Sequence, residues 1–115
     1  MSYKRGDVVL ALFPNSDLRT AKRRPVLVVQ ADRLGTGLNQ TLVAMITGNL
    51  TRAGHPSRVQ VLISSHQAYS TGLKTDSVIM TDNLETIADT EIDRALGSFL
   101  DMPAVDAALR HTLAL

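Results

Sequence analysis

The stretch Lys22-Arg23-Arg24-Pro25-Val26-Leu27-Val28-Val29-Gln30 joins a cluster of cations directly to an apolar run rich in valine. Such a short, β-branched run is typical of a strand that is buried on both faces. A residue that precedes proline avoids the helical region, so Arg24 is predicted to be extended where the strand begins. Its guanidinium is a planar fork of donors that matches a phosphate group. The stretch therefore predicts a strand over residues 25–30 with a positioned, phosphate-binding cation at its start.

Most of the remaining chain also has the pattern of strands. Continuous or alternating apolar segments predict strands over residues 7–13, 41–47, 58–62 and 76–81, with weaker candidates at 84–88 and 95–99. Only the tail is predicted to be helical, with Asp101 as its cap and Pro103 in the first turn. One face of this helix carries Val105, Ala108, Leu109, Thr112 and Leu113. Short strands followed by one helix indicate a small, bent antiparallel barrel or a sandwich.

The length and the charge of the chain limit the number of domains and the kinds of ligand that it can bind. A chain of 115 residues has room for one compact domain, which is predicted to span residues 1–115. The net charge is only +1, but residues 1–58 carry +6 and residues 59–115 carry −5. This asymmetry favours a basic groove for an anion in the first half of the chain and an acidic region elsewhere. The alternative is that these charges are ordinary solvated surface residues, which would give the two halves the same net charges.

Several kinds of site are excluded by the residue types available. The chain has no cysteine, and its histidines, His55, His66 and His111, are not spaced as metal ligands. We therefore expect no metal and no cofactor. The N-terminal residues do not form a signal-peptide core, and no apolar run is long enough to cross a bilayer. These features predict a soluble, cytoplasmic protein without a membrane partner.

A cation and a hydroxyl group form the main candidate site. If the strands that contain Arg24 and Thr47 are neighbours, both side chains can converge at one rim of the sheet. A guanidinium and a hydroxyl are sufficient to hold a phosphoryl group, and they also suffice for RNA cleavage without metal, because RNA supplies its own 2′-hydroxyl nucleophile. The simpler alternatives are that Arg24 pairs with an acidic side chain such as Asp17 and that Thr47 is present only for its β propensity.

Six segments of the chain, taken in order, resemble the MazF/PemK toxins of type II toxin-antitoxin systems. They are Lys4-Arg5-Gly6-Asp7-Val8, residues 22–29, Ile46-Thr47, residues 72–79, residues 82–87 and the helix around residues 105–109. The resemblance implies an SH3-like barrel of about five to seven strands with a C-terminal α-helix, in a chain that is usually a homodimer. It also implies a toxin whose partner is a cognate antitoxin protein.

The same resemblance implies an activity and a set of site residues. The activity is sequence-specific, metal-independent cleavage of single-stranded RNA that leaves a 2′,3′-cyclic phosphate and a 5′-hydroxyl. The catalytic pair would be Arg24 and Thr47. The residues flanking the RNA would be Asp17, Arg19, Lys22, Arg23, Asn49 and Arg52.

Two features differ from the family pattern. The loop over residues 13–21 is not glycine-rich, and Glu85 stands where many relatives carry arginine, which lowers the positive potential there. The base preference of known members therefore cannot be transferred to this chain. Two other activities also stay open. A CcdB-like protein with the same barrel would inhibit a protein target such as DNA gyrase, and a degenerate toxin would only bind RNA or antitoxin.

Overall fold

The computed structural model describes residues 3–15 and 17–115, and in this part of the chain six strands precede one α-helix. The elements are β1 (Asp7–Pro14), β2 (Ala21–Val28), β3 (Gln40–Thr47), β4 (Arg58–Val61), β5 (Ser77–Ala88), β6 (Ile92–Ser98) and α1 (Met102–Leu113). The strands form one antiparallel sheet in the order β4-β5-β3-β2-β1-β6. The predicted mainly β fold with a C-terminal helix is confirmed.

The strand β2 begins earlier than predicted. It starts at Ala21 and ends at Val28, so Arg24 lies in the middle of the strand and not at its start. The reason is the hairpin with β1, whose ladder continues as far as the pair Pro14 and Ala21. The extended conformation predicted for Arg24 is confirmed.

Pairing between β2 and β3 covers only a short part of β2. The ladder joins residues 26–28 of β2 to residues 43–45 of β3 and stops beside Pro25, which has no N–H to offer to a ladder. Beyond that point, the segment with Arg24 is paired with β1 alone among the described strands. The sheet therefore opens next to Arg24, and this opening positions the site described below.

The strand β5 replaces two of the predicted strands. Residues 76–81 and 84–88 were predicted as separate strands, but the chain stays extended between them. The partner residues on β3 show how this occurs, because Ala44 pairs with Leu84 while its neighbour Met45 pairs with Met80. The intervening residues 81–83 form a bulge, which bends a strand without ending it. The candidate strand at 95–99 is found as β6, which begins at Ile92.

Two hydrophobic clusters lie on opposite faces of the bent sheet. One cluster, which includes Leu27, Ile79 and Val105, is covered by α1, and the other, which includes Val26 and Phe13, lies on the other face. Adjacent residues of a strand point to opposite faces, so the continuous apolar run in β2 supplies both clusters. The prediction that this run is a strand buried on both faces is therefore confirmed.

The helix α1 is capped and packed largely as predicted. The carboxylate of Asp101 accepts a hydrogen bond from the backbone N–H of Ala104, and Pro103 lies in the first turn. Val105 and Ala108 are buried, but the predicted contribution of Leu113 to the apolar face is wrong, since it is 52% exposed. Leu113 ends the helix, beyond the sheet-facing turns.

Polar contacts fix α1 against the sheet. Arg5 Nη2 donates to Asp106 Oδ1 at 2.6 Å, and Arg5 Nε donates to the carbonyl of Val29 at 2.9 Å. The hydroxyls of Thr81 and Thr112 lie 2.8 Å apart, and Thr81 donates to the carbonyl of Ser57 at 2.6 Å. The helix is thus tied to the β5 bulge.

Within residues 3–15 and 17–115, no helix is long and apolar enough to cross a membrane.

Candidate functional site

A cavity of about 540 Å³ opens between the β1–β2 hairpin, the end of β3 and the bulged strand β5. It lies where β2 and β3 separate. Its walls mix polar and apolar side chains: Phe13, Pro14, Asn15, Leu18, Arg24, Met45, Thr47, Asn49, Arg52, Met80, Asn83 and Glu85. Arg24 and Thr47 therefore share one cavity, as the sequence predicts for neighbouring strands.

Arg24 is held by neutral groups. Its Nη2 donates to Asn15 Oδ1 at 3.1 Å, its Nη1 lies 3.2 Å from Met45 Sδ, and its Cζ is 6.0 Å from the centre of the Phe13 ring. Its Nε is buried without a hydrogen-bond partner in the described structure, and no described carboxylate forms an ion pair with it. Its positive charge is therefore available to an anion that enters the cavity.

The alternative that Arg24 pairs with Asp17 is wrong. The Asp17 carboxylate instead accepts hydrogen bonds from the backbone N–H groups of Arg19, at 2.9 Å, and Thr20, at 3.0 Å. These bonds, together with one from the Thr20 hydroxyl, hold the pKa of Asp17 below its usual value. Asp17 thus stabilises the turn of the β1–β2 hairpin.

Thr47 is placed by a turn at the end of β3. Its Oγ1 accepts a hydrogen bond from the backbone N–H of Asn49 at 3.2 Å, so its own O–H remains available as a donor. Asn49 caps a short 3₁₀ helix, Leu50–Arg52, because its Oδ1 accepts hydrogen bonds from the backbone N–H and the hydroxyl of Thr51. The local sequence thus brings a hydroxyl, an amide and a guanidinium to one wall.

An ion pair holds the 3₁₀ helix against the sheet. Arg58 donates to the carbonyl of Arg52 at 3.1 Å and to both carboxylate oxygens of Asp82, at 3.3 and 2.8 Å. The hydrogen bond from Arg58 lowers the pKa of Asp82, although burial of the carboxylate opposes the shift. The same bond raises the pKa of Arg58. Arg58 and Asp82 therefore support the backbone that carries Arg52.

The structure separates the predicted site residues into two groups. Arg24, Thr47, Asn49 and Arg52 line the cavity, whereas Asp17, Arg19, Lys22 and Arg23 do not. Members of the second group are exposed on the adjoining hairpin. The Arg23 side chain projects to the opposite face of β2 from Arg24, and its Nη1 lies 3.7 Å from Asp93 Oδ2.

Some lining residues were not predicted as site residues. Met45 precedes Thr47 by two positions, so strand alternation could have identified it. Asn83 lies in the β5 bulge and Glu85 follows it, and the sequence does not indicate this bulge. Glu85, singled out only as a departure from the family pattern, is the one carboxylate on the described cavity wall. A two-metal nuclease site needs a cluster of carboxylates, and the described residues contain no group of three or more potential metal ligands.

A bent antiparallel sheet with a terminal helix, and a cavity that contains a hydroxyl and a guanidinium without a carboxylate partner among the described residues, define a small β protein whose cavity suits a phosphate group. The family of PemK-like, MazF-like toxins of type II toxin-antitoxin systems matches residues 4–113. The chain belongs to this family, as the resemblance predicts.

Curated relatives match over nearly their whole length. Endoribonuclease EndoA of Bacillus subtilis is 35% identical, with 100% of this chain and 97% of the relative aligned. Endoribonuclease MazF6 of Mycobacterium tuberculosis is 34% identical, with 98% of each chain aligned. The predicted enzyme class agrees with the names of these relatives.

Solved structures support the fold. The Mycobacterium tuberculosis toxin MazF-mt6 is similar at a TM-score of 0.74 and 28% identity, covering 95% of this chain and 97% of that one. A mycobacterial endoribonuclease solved in complex with its cognate antitoxin also gives 0.74, at 22% identity, with 99% and 97% covered. The predicted barrel-like fold is confirmed by these neighbours.

Proposed function

We propose that this toxin is an endoribonuclease that cuts single-stranded RNA, with Arg24 and Thr47 at the scissile phosphate. The observation that carries the proposal is the state of Arg24, whose guanidinium is partly buried, lacks a carboxylate partner among the described residues and lines a cavity. A cation is stabilised in such a place by an anionic ligand. The names of the curated relatives identify RNA as the class of ligand.

The reaction that fits these groups uses the RNA as its own nucleophile. The 2′-oxygen loses its proton and attacks the adjacent phosphorus, while the bond from phosphorus to the 5′-oxygen breaks and that oxygen gains a proton. The products are a 2′,3′-cyclic phosphate and a 5′-hydroxyl. Arg24 stabilises the negative charge that develops on the phosphoryl oxygens, and the Thr47 hydroxyl donates to one of them to hold the phosphate in line. No metal is needed for these roles.

The other predicted residues would bind the RNA on either side of the cleaved bond. Asn49 and Arg52 line the cavity and are suited to contact a nucleotide directly. Lys22 and Arg19, with the turn around Asp17, lie on the exposed β1–β2 hairpin, where they would contact the phosphates of neighbouring nucleotides. Arg23 would contact RNA only where the strand passes to the other face of β2, since its side chain points there and lies near Asp93.

The partners follow from the family. We propose that residues 1–115 form one toxin domain that acts as a homodimer in the cytoplasm. A cognate antitoxin with a disordered, acidic or amphipathic tail would lie along the basic surface and exclude RNA, ordering as it binds. The solved mycobacterial relative with its antitoxin and the family description support this partner.

The Arg24→Ala variant tests the proposal. Cleavage of a mixed-sequence RNA in the presence of a chelator is expected to fall by about 10²–10³-fold, which is typical for removal of one charge-stabilising donor. Circular dichroism and thermal unfolding should show an intact fold. The matched control is Arg94→Ala, because Arg94 is an exposed arginine, paired with Asp93, that does not line the cavity.

Undiminished cutting by Arg24→Ala would contradict the assignment. Sequencing both ends of the products checks the chemistry, since a 2′,3′-cyclic phosphate and a 5′-hydroxyl are expected. Inhibition of DNA gyrase supercoiling by the wild-type protein, without RNA products, would instead support the CcdB-like alternative.

A further inference from the structure

The Glu85 side chain is an unexpected member of the cavity wall. It lies on β5 opposite Val43 of β3, is partly buried, and lines the same cavity as Arg24 and Thr47. Its carboxylate forms no ion pair with a lysine or arginine of the described chain. One cavity therefore holds a guanidinium and a carboxylate that form no direct ion pair with each other. A ligand that bridges them must present an anion to Arg24 and hydrogen-bond donors to Glu85.

The chemistry of a carboxylate restricts what can face Glu85. An ionised carboxylate only accepts hydrogen bonds and repels phosphate, so this wall suits a base and not the RNA backbone. Single-stranded RNA exposes the Watson–Crick edges of its bases to such groups. On that edge guanine presents adjacent N1–H and N2–H donors. Adenine, cytosine and uracil each place an acceptor beside their single donor group.

Building on the proposed function, we propose that Glu85 is a specificity-determining residue that selects a guanine next to the cleaved bond by accepting from its N1–H and N2–H groups. The phosphate of the bound strand lies at Arg24, and the base lies toward β5. Met45 and Met80 supply apolar wall for the flat faces of the base, and the Asn83 amide can donate to the guanine O6.

The first measurement is sequencing of the cut ends that the wild-type protein makes in a mixed-sequence RNA. Guanine is expected to be enriched at one position adjacent to the cut. A short RNA with that guanine should then be compared with the same RNA carrying inosine, which lacks the N2 amino group. Loss of one of two paired hydrogen bonds is expected to slow cleavage by about tenfold.

The variant Glu85→Gln should remove most of the difference between guanine and inosine, because an amide cannot accept both hydrogen bonds. The ratio of the two rates is expected to fall from about tenfold to about twofold or less. The control variant is Glu91→Gln, which makes the same charge change at an exposed residue outside this cavity and should leave the ratio unchanged.

The outcomes separate this inference from the proposed function. If the wild-type protein cuts RNA without a guanine preference, or if the ratio survives in Glu85→Gln, the role of Glu85 is overturned while the ribonuclease stands. If the protein cuts no RNA, the proposed reaction fails. The inference is then decided by fluorescence anisotropy with the guanine and inosine RNAs, where equal binding by the wild-type protein overturns it.

Discussion

Arg58 and Arg24 are both partly shielded arginines on this sheet, but their surroundings differ. Arg58 meets the Asp82 carboxylate through two hydrogen bonds and also binds the carbonyl of Arg52. Arg24 is surrounded by an amide, a thioether and an aromatic ring, and its Nε has no partner in the part of the chain that is described. The first arrangement is complete without a ligand, and the second is not.

This difference distinguishes a structural arginine from a ligand-binding one. A buried donor without a partner generally costs about 1–3 kcal/mol, so an arrangement such as that of Arg24 lowers stability unless something else selects it. Strain or incomplete bonding of this kind is typical of functional sites. The comparison predicts that changes near Arg24 alter activity, whereas changes near Arg58 alter stability.

After the loss of cleavage expected for Arg24→Ala, the next largest effect is expected for Thr47→Val, which removes the hydroxyl donor from the cavity while keeping the shape of the side chain. RNA cleavage should fall by about tenfold, the loss expected for one hydrogen bond to the reacting phosphate, and the melting temperature should change little. A single-turnover cleavage assay measures the first quantity and thermal unfolding the second. Thr90→Val, an exposed threonine outside the cavity, is the control. A Thr47→Val variant as active as the control would show that the hydroxyl has no part in the reaction.

An intermediate effect is expected when the two arginines are compared for stability. Arg58→Ala should lower the denaturant midpoint because it leaves the Asp82 carboxylate and the Arg52 carbonyl without their donor. Arg24→Ala should leave the midpoint unchanged or raise it, since it removes a partly buried charge with no described counterion. A lower midpoint for Arg24→Ala than for Arg58→Ala would contradict the assignment of Arg58 as the structural arginine and Arg24 as the ligand-binding one.

The smallest effect concerns pH. The hydrogen bond from Arg58 lowers the pKa of Asp82 below its ordinary value of 3.8, so the folded state binds this proton less readily than the unfolded state. The resulting stabilisation is present above that ordinary value and is lost as the pH falls through the lower pKa of the folded state. We therefore expect the stability advantage of the wild-type protein over Asp82→Asn to shrink as the pH falls below 3.8 and through the lower pKa of the folded state.

Denaturant unfolding across this pH range measures the difference between the two proteins. In an Arg58→Ala background the pH dependence of that difference should largely disappear, because its main cause has been removed. A pH dependence that persists there would show that Arg58 is not responsible.

The elements that the sequence predicted best are those with strong local signals. The β-branched run after Pro25 is buried in β2, and Asp101 and Pro103 start α1 where expected. Arg24 and Thr47 share a cavity because β2 and β3 are neighbours. The sequence alone does not establish that β2 and β3 are neighbours, since strand order depends on contacts between distant parts of the chain.

What the sequence did not predict depends on pairing between strands. The bulge in β5 joins two predicted strands into one, and it arises from the register against β3, not from any turn residue. The same bulge brings Asn83 and Glu85 to the cavity. The early start of β2 likewise depends on the ladder with β1. A local pattern contains no information on either register.

The proline that follows Arg24 has a further consequence. Its nitrogen carries no hydrogen to donate at the point where β2 and β3 part, so the end of this ladder is built into the covalent structure of the chain. A cleft formed in this way exists before any ligand arrives, and little ordering entropy is lost when a ligand enters it. An RNA strand would therefore meet a receptor that is already open.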